Sequence, residues 1–183
     1  MKHNSKVVEY VKQKLDEIAY PGLTANFDAA KTAALAITLQ DWKSVGKNYA
    51  QKMASCAKEL AQNLDQLGIE LFAKNQGFTK SHQFAVLANK FGGGQTAAKK
   101  LRKANILACG IGLPGQMLSH DLNGLRIGTP ELVRIGMKEK DMSQIADFIY
   151  RALTLDDLEK TSKEVTEFRS QFKGVHYTLD LPE

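Results

Sequence analysis

The chain has 183 residues, 43% hydrophobic and 25% charged, the proportions of an ordinary folded protein rather than a disordered or fibrous one. Its 25 basic and 20 acidic side chains leave a net charge of +5, less than a dedicated nucleic-acid binder needs. Cys56 and Cys109 form no CxxC pair and no metal-ligand spacing with the four histidines, which argues against a disulfide framework or a zinc site.

The longest uncharged stretch, Ala104 to His120, is too short for a membrane span and is broken by Gly110, Gly112, Pro114 and Gly115. The first residues lack the apolar centre and cleavage site of a secretory signal, so a soluble, cytoplasmic chain is expected. Val7, Val8, Val11, Leu15 and Ile18 recur at helical spacing, and Tyr20-Pro21-Gly22 is read as the end of that helix. An alanine-rich run from Asp28 to Ile37 predicts a helix lying deep in a core or an interface. Trp42, Val45, Tyr49, Met53, Cys56, Leu60, Leu64 and Leu67 then step by three and four, an apolar stripe along about 37 Å of helix. Gly68 is its expected stop.

Beyond Gly68 the texture changes. Ile69 to Ala73, His82 to Ala88, Ile106 to Cys109 and Gly124 to Ile127 read as strands, with a helix from Gln95 to Lys103 after the turn Gly92-Gly93-Gly94. Thr129-Pro130 opens a helix with Thr129 as its N-cap, followed by amphipathic segments carrying Met142 to Ala152 and Leu158 to Phe172. The predicted class is α+β: a long helical stem, then a small antiparallel sheet packed against helices.

Most chemistry-bearing residues read as ordinary ones. The histidines at 3, 82, 120 and 176 are scattered, and no metal site is expected. His120 beside Asp121 could form a base and its orienter, but a solvated polar pair is the commoner outcome. Gly92-Gly93-Gly94 could cradle an anion, though it lacks a P-loop lysine and the dinucleotide fingerprint. Lys99, Lys100, Arg102 and Lys103 read as a solvated face. Arg126 stands out: it is placed at a strand end just ahead of a proline-started helix, where a guanidinium can grip a carboxylate through two parallel bonds.

The run Leu125 to Ile149, LRIGTPELVRIGMKEKDMSQIADFI, resembles the R-[IL]-G-T-P stretch near the C-terminus of serine hydroxymethyltransferases. Tyr20-Pro-Gly22 with Ala29-Ala-Lys31 is similar to that family's F-P-G…A-A-K segment, and the likeness runs from about residue 15 to residue 153. The resemblance implies the fold-type-I scaffold that binds pyridoxal phosphate, with residues 1–26 a remnant of the cofactor domain, 27–67 connecting helices, 68–173 the small C-terminal α/β domain and 174–183 a tail. It implies that Arg126 binds the carboxylate of the amino-acid substrate. Thr24 and Asn26 stand where the family's Gly-Gly-Pro loop meets the cofactor phosphate across a homodimer. No T-x-x-x-H-K sequence supplies the Schiff-base lysine, so this chain carries no catalytic residue and no covalently held cofactor is expected on it. Cys109-Gly-Ile111 occupies the place of the folate-binding N-K-N, which puts tetrahydrofolate use in question. The expected function is therefore the C-terminal domain of a hydroxymethyltransferase-like enzyme of serine and glycine. The alternatives are a folate-independent aldolase of β-hydroxy amino acids and a non-catalytic interaction module, which could self-associate through its stem. Neither nucleic acid nor membrane is an expected partner.

Overall fold

Three- and four-residue apolar steps wind the start of the chain into α1 (Ser5–Glu17). Pro21 has no N–H to offer the Glu17 carbonyl, so α-helical bonding cannot continue and the chain widens into a π-helical turn over Ile18–Leu23. The computed structural model describes residues 5–23, 28–115, 118–155 and 157–179. It divides the chain into two units, Met1–Gln40 and Asp41–Glu183.

In the first unit Val7, Val8, Val11, Leu15 and Ile18 are all exposed. Helix α2 (Ala29–Gln66) starts here, its first N–H groups met by the Asp28 carboxylate, which accepts from Ala30 N at 3.0 Å. Every residue from Ala29 to Gln40 is exposed, so the core position expected for the alanine-rich run is not realised within this chain. Alanines have little apolar area to bury, and the larger Leu35, Ile37 and Leu39 face water with them.

The second unit holds the core. Of the α2 stripe, Tyr49, Met53, Cys56, Leu60 and Leu64 are buried, while Trp42 and Leu67 at its two ends are exposed. Gly68, at φ 84°, ends the helix as expected. Three strands follow, β1 (Gln83–Leu87), β2 (Cys109–Ile111) and β3 (Gly124–Gly128), all antiparallel in the order β1-β3-β2. Between β1 and β2 lies α3 (Gly94–Lys103). After β3 come the short α4 (Pro130–Arg134), then α5 (Met142–Thr154) and α6 (Leu158–Ser170). Phe84, Val86, Leu125 and Ile127 line the buried face of the sheet, in one cluster with the α2 stripe, Leu101 of α3 and Ile149 of α5. Fully buried side chains such as Leu60, Leu101 and Leu125 each contribute roughly 1.5–3 kcal/mol of transfer energy.

Two predicted strands differ. Ile69 to Ala73 pairs only through a bridge of Leu71 with Val86, because Ala73 turns left-handed at φ 56° and leads into a single 3-10 turn. The strand expected at Ile106 to Cys109 begins instead at Cys109. Helix α3 unwinds through left-handed Asn105, with Ile106 N still donating to Leu101 O, and Leu107 stays 85% exposed.

Helix α3 lies close on the sheet because its first residue is glycine. A Cβ on Gly94 would stand 1.9 Å from the Gly124 carbonyl oxygen and 2.9 Å from Gly110 Cα.

Candidate functional site

Strand β3 reads Gly-Leu-Arg-Ile-Gly. The two-residue period sends Leu125 and Ile127 into the core and turns Arg126 to the open face. Arg126 is thus the middle residue of the central strand, not its end as the sequence reading placed it. It pairs with Ala85 on one side and Cys109 on the other. The helix after the strand, α4, has five residues and starts four positions beyond Arg126, so a helix dipole is no part of this site. Among the described residues the exposed guanidinium has no hydrogen-bond or ion-pair partner. Both cross-strand neighbours are small and carry no carboxylate, which leaves the planar fork available to an external one.

The turn out of β3 is rigidly held. Thr129 occupies the N-cap position of α4, but its hydroxyl does not cap the helix. Fully buried, it donates instead to the Met53 carbonyl at 2.7 Å and lies 3.2 Å from the His82 carbonyl, while Thr129 N donates to that same His82 oxygen. The motif's threonine therefore ties β3 to α2 and to the start of β1, a role that no local spacing reveals.

The other candidates resolve into structure. The helix N-terminus after Gly92-Gly93-Gly94 is already filled by the chain's own carboxylate. Asp121 accepts from Gln95 N at 3.0 Å, Thr96 N at 2.8 Å and the Thr96 hydroxyl at 2.8 Å. The Gln95 N–H, followed by the two donors of Thr96, holds the Asp121 carboxyl well below the usual carboxylate range. Asp121 therefore does not orient His120, whose Nδ1 lies 3.3 Å from the Ser119 hydroxyl. Sequence reasoning missed this cap because its partners lie about 25 residues upstream. The base of the same loop is closed by buried Asn123, which accepts from Leu113 N at 2.8 Å and donates to Leu113 O at 3.0 Å. Burial pushes the Cys56 thiol up to about 11, so it is an inert core group.

No group of three His, Cys, Asp or Glu side chains that could hold a metal occurs among the described residues. No described helix is long and apolar enough to cross a membrane. Nor do the described residues fit pyridoxal phosphate by themselves. The one glycine turn before a helix meets a carboxylate rather than offering free N–H groups, and an anion there would face the Asp121 charge. Thr24 and Asn26, the two expected phosphate contacts, lie outside the described residues.

The chain is similar to alpha-methylserine aldolases from Ralstonia sp (49% identical over 168 residues) and Variovorax paradoxus (52% over 167), in each case over 91% of this chain and 38% of the relative. It is 39% identical over 175 residues to the serine hydroxymethyltransferase of Methanocella arvoryzae, across 94% of this chain and 41% of that protein. Among solved structures, L-threonine transaldolase from Pseudomonas fluorescens, in its internal aldimine state, superposes with a TM-score of 0.77 at 27% identity, covering 88% of this chain and 38% of that one. The chain thus spans about two fifths of the length of the relatives it matches. The family model for serine hydroxymethyltransferase matches residues 1–149, and the chain belongs to that family.

Proposed function

We propose that this chain is the substrate-anchoring small domain of a pyridoxal-phosphate enzyme similar to serine hydroxymethyltransferase, and that the intact enzyme carries out folate-independent aldol cleavage of an α-alkylated β-hydroxy amino acid. The observation that carries this reading is Arg126, an exposed guanidinium with no partner among the described residues, held mid-strand between two small side chains. A carboxylate gripped by its two-bond fork loses rotation about the Cα bonds, so one of them is held ready to break.

Two facts favour the aldolase over the folate-linked transferase. The segment beside Arg126, Cys109-Gly110-Ile111, stands where the resemblance implies a folate-binding N-K-N, and its side chains, a half-buried thiol, none at all and an aliphatic chain, cannot supply the hydrogen bonds of amide and ammonium groups. The identity to alpha-methylserine aldolases is 49–52%, against 39% to the hydroxymethyltransferase. In the proposed cleavage the Cα–Cβ bond breaks and the β-hydroxyl gives up its proton to become an aldehyde. The electron pair left on Cα takes up a proton, so α-methylserine yields alanine and formaldehyde. The homodimer that the sequence suggests goes with this reading.

Formaldehyde release from α-methylserine by the intact enzyme tests it. The expected rate is the same with and without tetrahydrofolate. A strict requirement for tetrahydrofolate overturns the aldolase in favour of the transferase, and release of no product under either condition favours the non-catalytic module.

A further inference from the structure

The tail beyond α6 is not a loose end. Tyr177 stacks on Tyr49 of α2 with ring centroids 4.9 Å apart and planes at 23°. Arg134 of α4 donates from Nη1 to the Tyr177 carbonyl at 2.7 Å, and the Arg134 carbonyl accepts from His176 N at 2.7 Å. Leu179 N donates to Asp41 at 2.8 Å. Gly136, at φ 96°, makes room for the His176 ring, since a Cβ there would stand 2.6 Å from Nε2. The tail residues His176, Tyr177 and Leu179 lie beyond the 1–149 that the family model matches.

What the tail covers is the second tether of the arginine motif. The Tyr49 hydroxyl donates to the Pro130 carbonyl at 2.9 Å, four residues after Arg126. The exit of β3 is thus pinned to α2 at two points, by Thr129 on Met53 and by Tyr49 on Pro130. The first is fully buried and self-contained. The second depends on a ring that the tail helps to cover: Tyr49 is only 8% exposed, with Tyr177 of the tail stacked on it, the Arg134 guanidinium of α4 5.7 Å from its centroid and the Trp42 ring 5.8 Å away. Stripped of Tyr177, that ring meets water and its bond to Pro130 competes with solvent.

We infer that His176–Leu179 is a positioning strap for Arg126, acting through the stack of Tyr177 on Tyr49 and the bond from Tyr49 to Pro130. The inference rests on the reading of Arg126 as the carboxylate anchor. In the intact enzyme, Tyr177→Ala is expected to raise KM for the amino acid about 3- to 10-fold with kcat within about twofold, while Tyr177→Phe, which keeps the stack, behaves as wild type. In an Arg126→Lys background the same Tyr177→Ala change is expected to shift KM by less than about 1.5-fold, because the strap then has nothing to position. Tyr49→Phe removes only the hydroxyl and carries the same expectation should Tyr177→Ala fail to fold. An unchanged KM in these variants overturns the strap, and so does an equal rise in both backgrounds, which marks a general loss of structure. An Arg126→Lys variant that itself leaves KM unchanged overturns the anchor reading instead. Should Tyr177→Ala still raise KM in that case, the strap acts elsewhere and this inference falls with it.

Discussion

Arg126 and Arg151 are the same residue type in opposite surroundings. Arg151, on α5, donates to Asp147 one turn earlier at 2.9 Å, reaches the Glu164 carboxylate on α6, and lies 5.4 Å from the centre of the Phe148 ring. Only 16% of its side chain is exposed, and the hydrogen bond from its guanidinium draws the Glu164 carboxyl below its ordinary value. Arg126 sits among Ala85 and Cys109 with no such partner. A helix brings the side chain four positions away within reach, here Asp147, whereas a strand gives its residue the neighbours that adjacent strands present, here Ala85 and Cys109. The isolation of Arg126 therefore follows from its register, and it leaves the charge free for the external carboxylate proposed above.

The comparison breaks most decisively at Arg126. Lysine keeps the charge but not the planar fork, so Arg126→Lys in the intact enzyme is expected to weaken amino-acid binding by about 2–5 kcal/mol, roughly 30-fold to several thousand-fold. An exposed strand residue with no partner among the described residues contributes little to folding, and the stability should change by no more than about 0.5 kcal/mol. Amino-acid titration and denaturant melting of the same preparation read the two sides. Binding within threefold of wild type would make Arg126 an ordinary surface charge.

Arg151→Met is expected to give the reverse profile. The methionine retains some packing against Phe148 but abandons both carboxylates, at a cost of about 1 kcal/mol of stability. KM for the amino acid should be unchanged. A loss of substrate affinity without loss of stability would collapse the distinction between the two arginines.

Most of the architecture was legible in the chain because it rests on periodicity. The stripe from Tyr49 to Leu64 and the α5 face from Met142 to Ala152 each repeat often enough to be read locally. What was not legible was set by distant partners. Thr129 looks like a helix cap from its neighbours, yet its hydroxyl belongs to Met53 and His82, which only the packed sheet brings near. The glycine turn at Gly92 looks like an anion cradle until Asp121 folds back into it. The late start of the second strand follows from left-handed Asn105, a single-residue choice that carries no periodic signal. Tyr177 offered nothing in sequence, because a stack on Tyr49 is a contact across more than a hundred residues.

A second committed charge sharpens the contrast through pH. Glu139 accepts from the Ser55 hydroxyl at 2.6 Å and from Lys52 Nζ at 2.9 and 3.0 Å. The hydroxyl first, then the ammonium, lowers its carboxyl from an ordinary value of 4.5 to about 2. A carboxyl whose pKa is lower folded than unfolded binds its proton more readily in the unfolded chain. Its contribution to stability is therefore complete above 4.5 and drains away as the pH falls toward 2. Glu139→Gln is expected to be less stable than wild type at neutral pH, and the gap should close across that window when urea midpoints are compared. Some acid sensitivity must survive in the variant, because Asp121, held low by Gln95 and Thr96, continues to lose its own contribution at still lower pH. A gap that stays constant from pH 6 to pH 2 would mean that Glu139 acts through packing alone, and that its charge, like that of Arg126, is not spent on the fold.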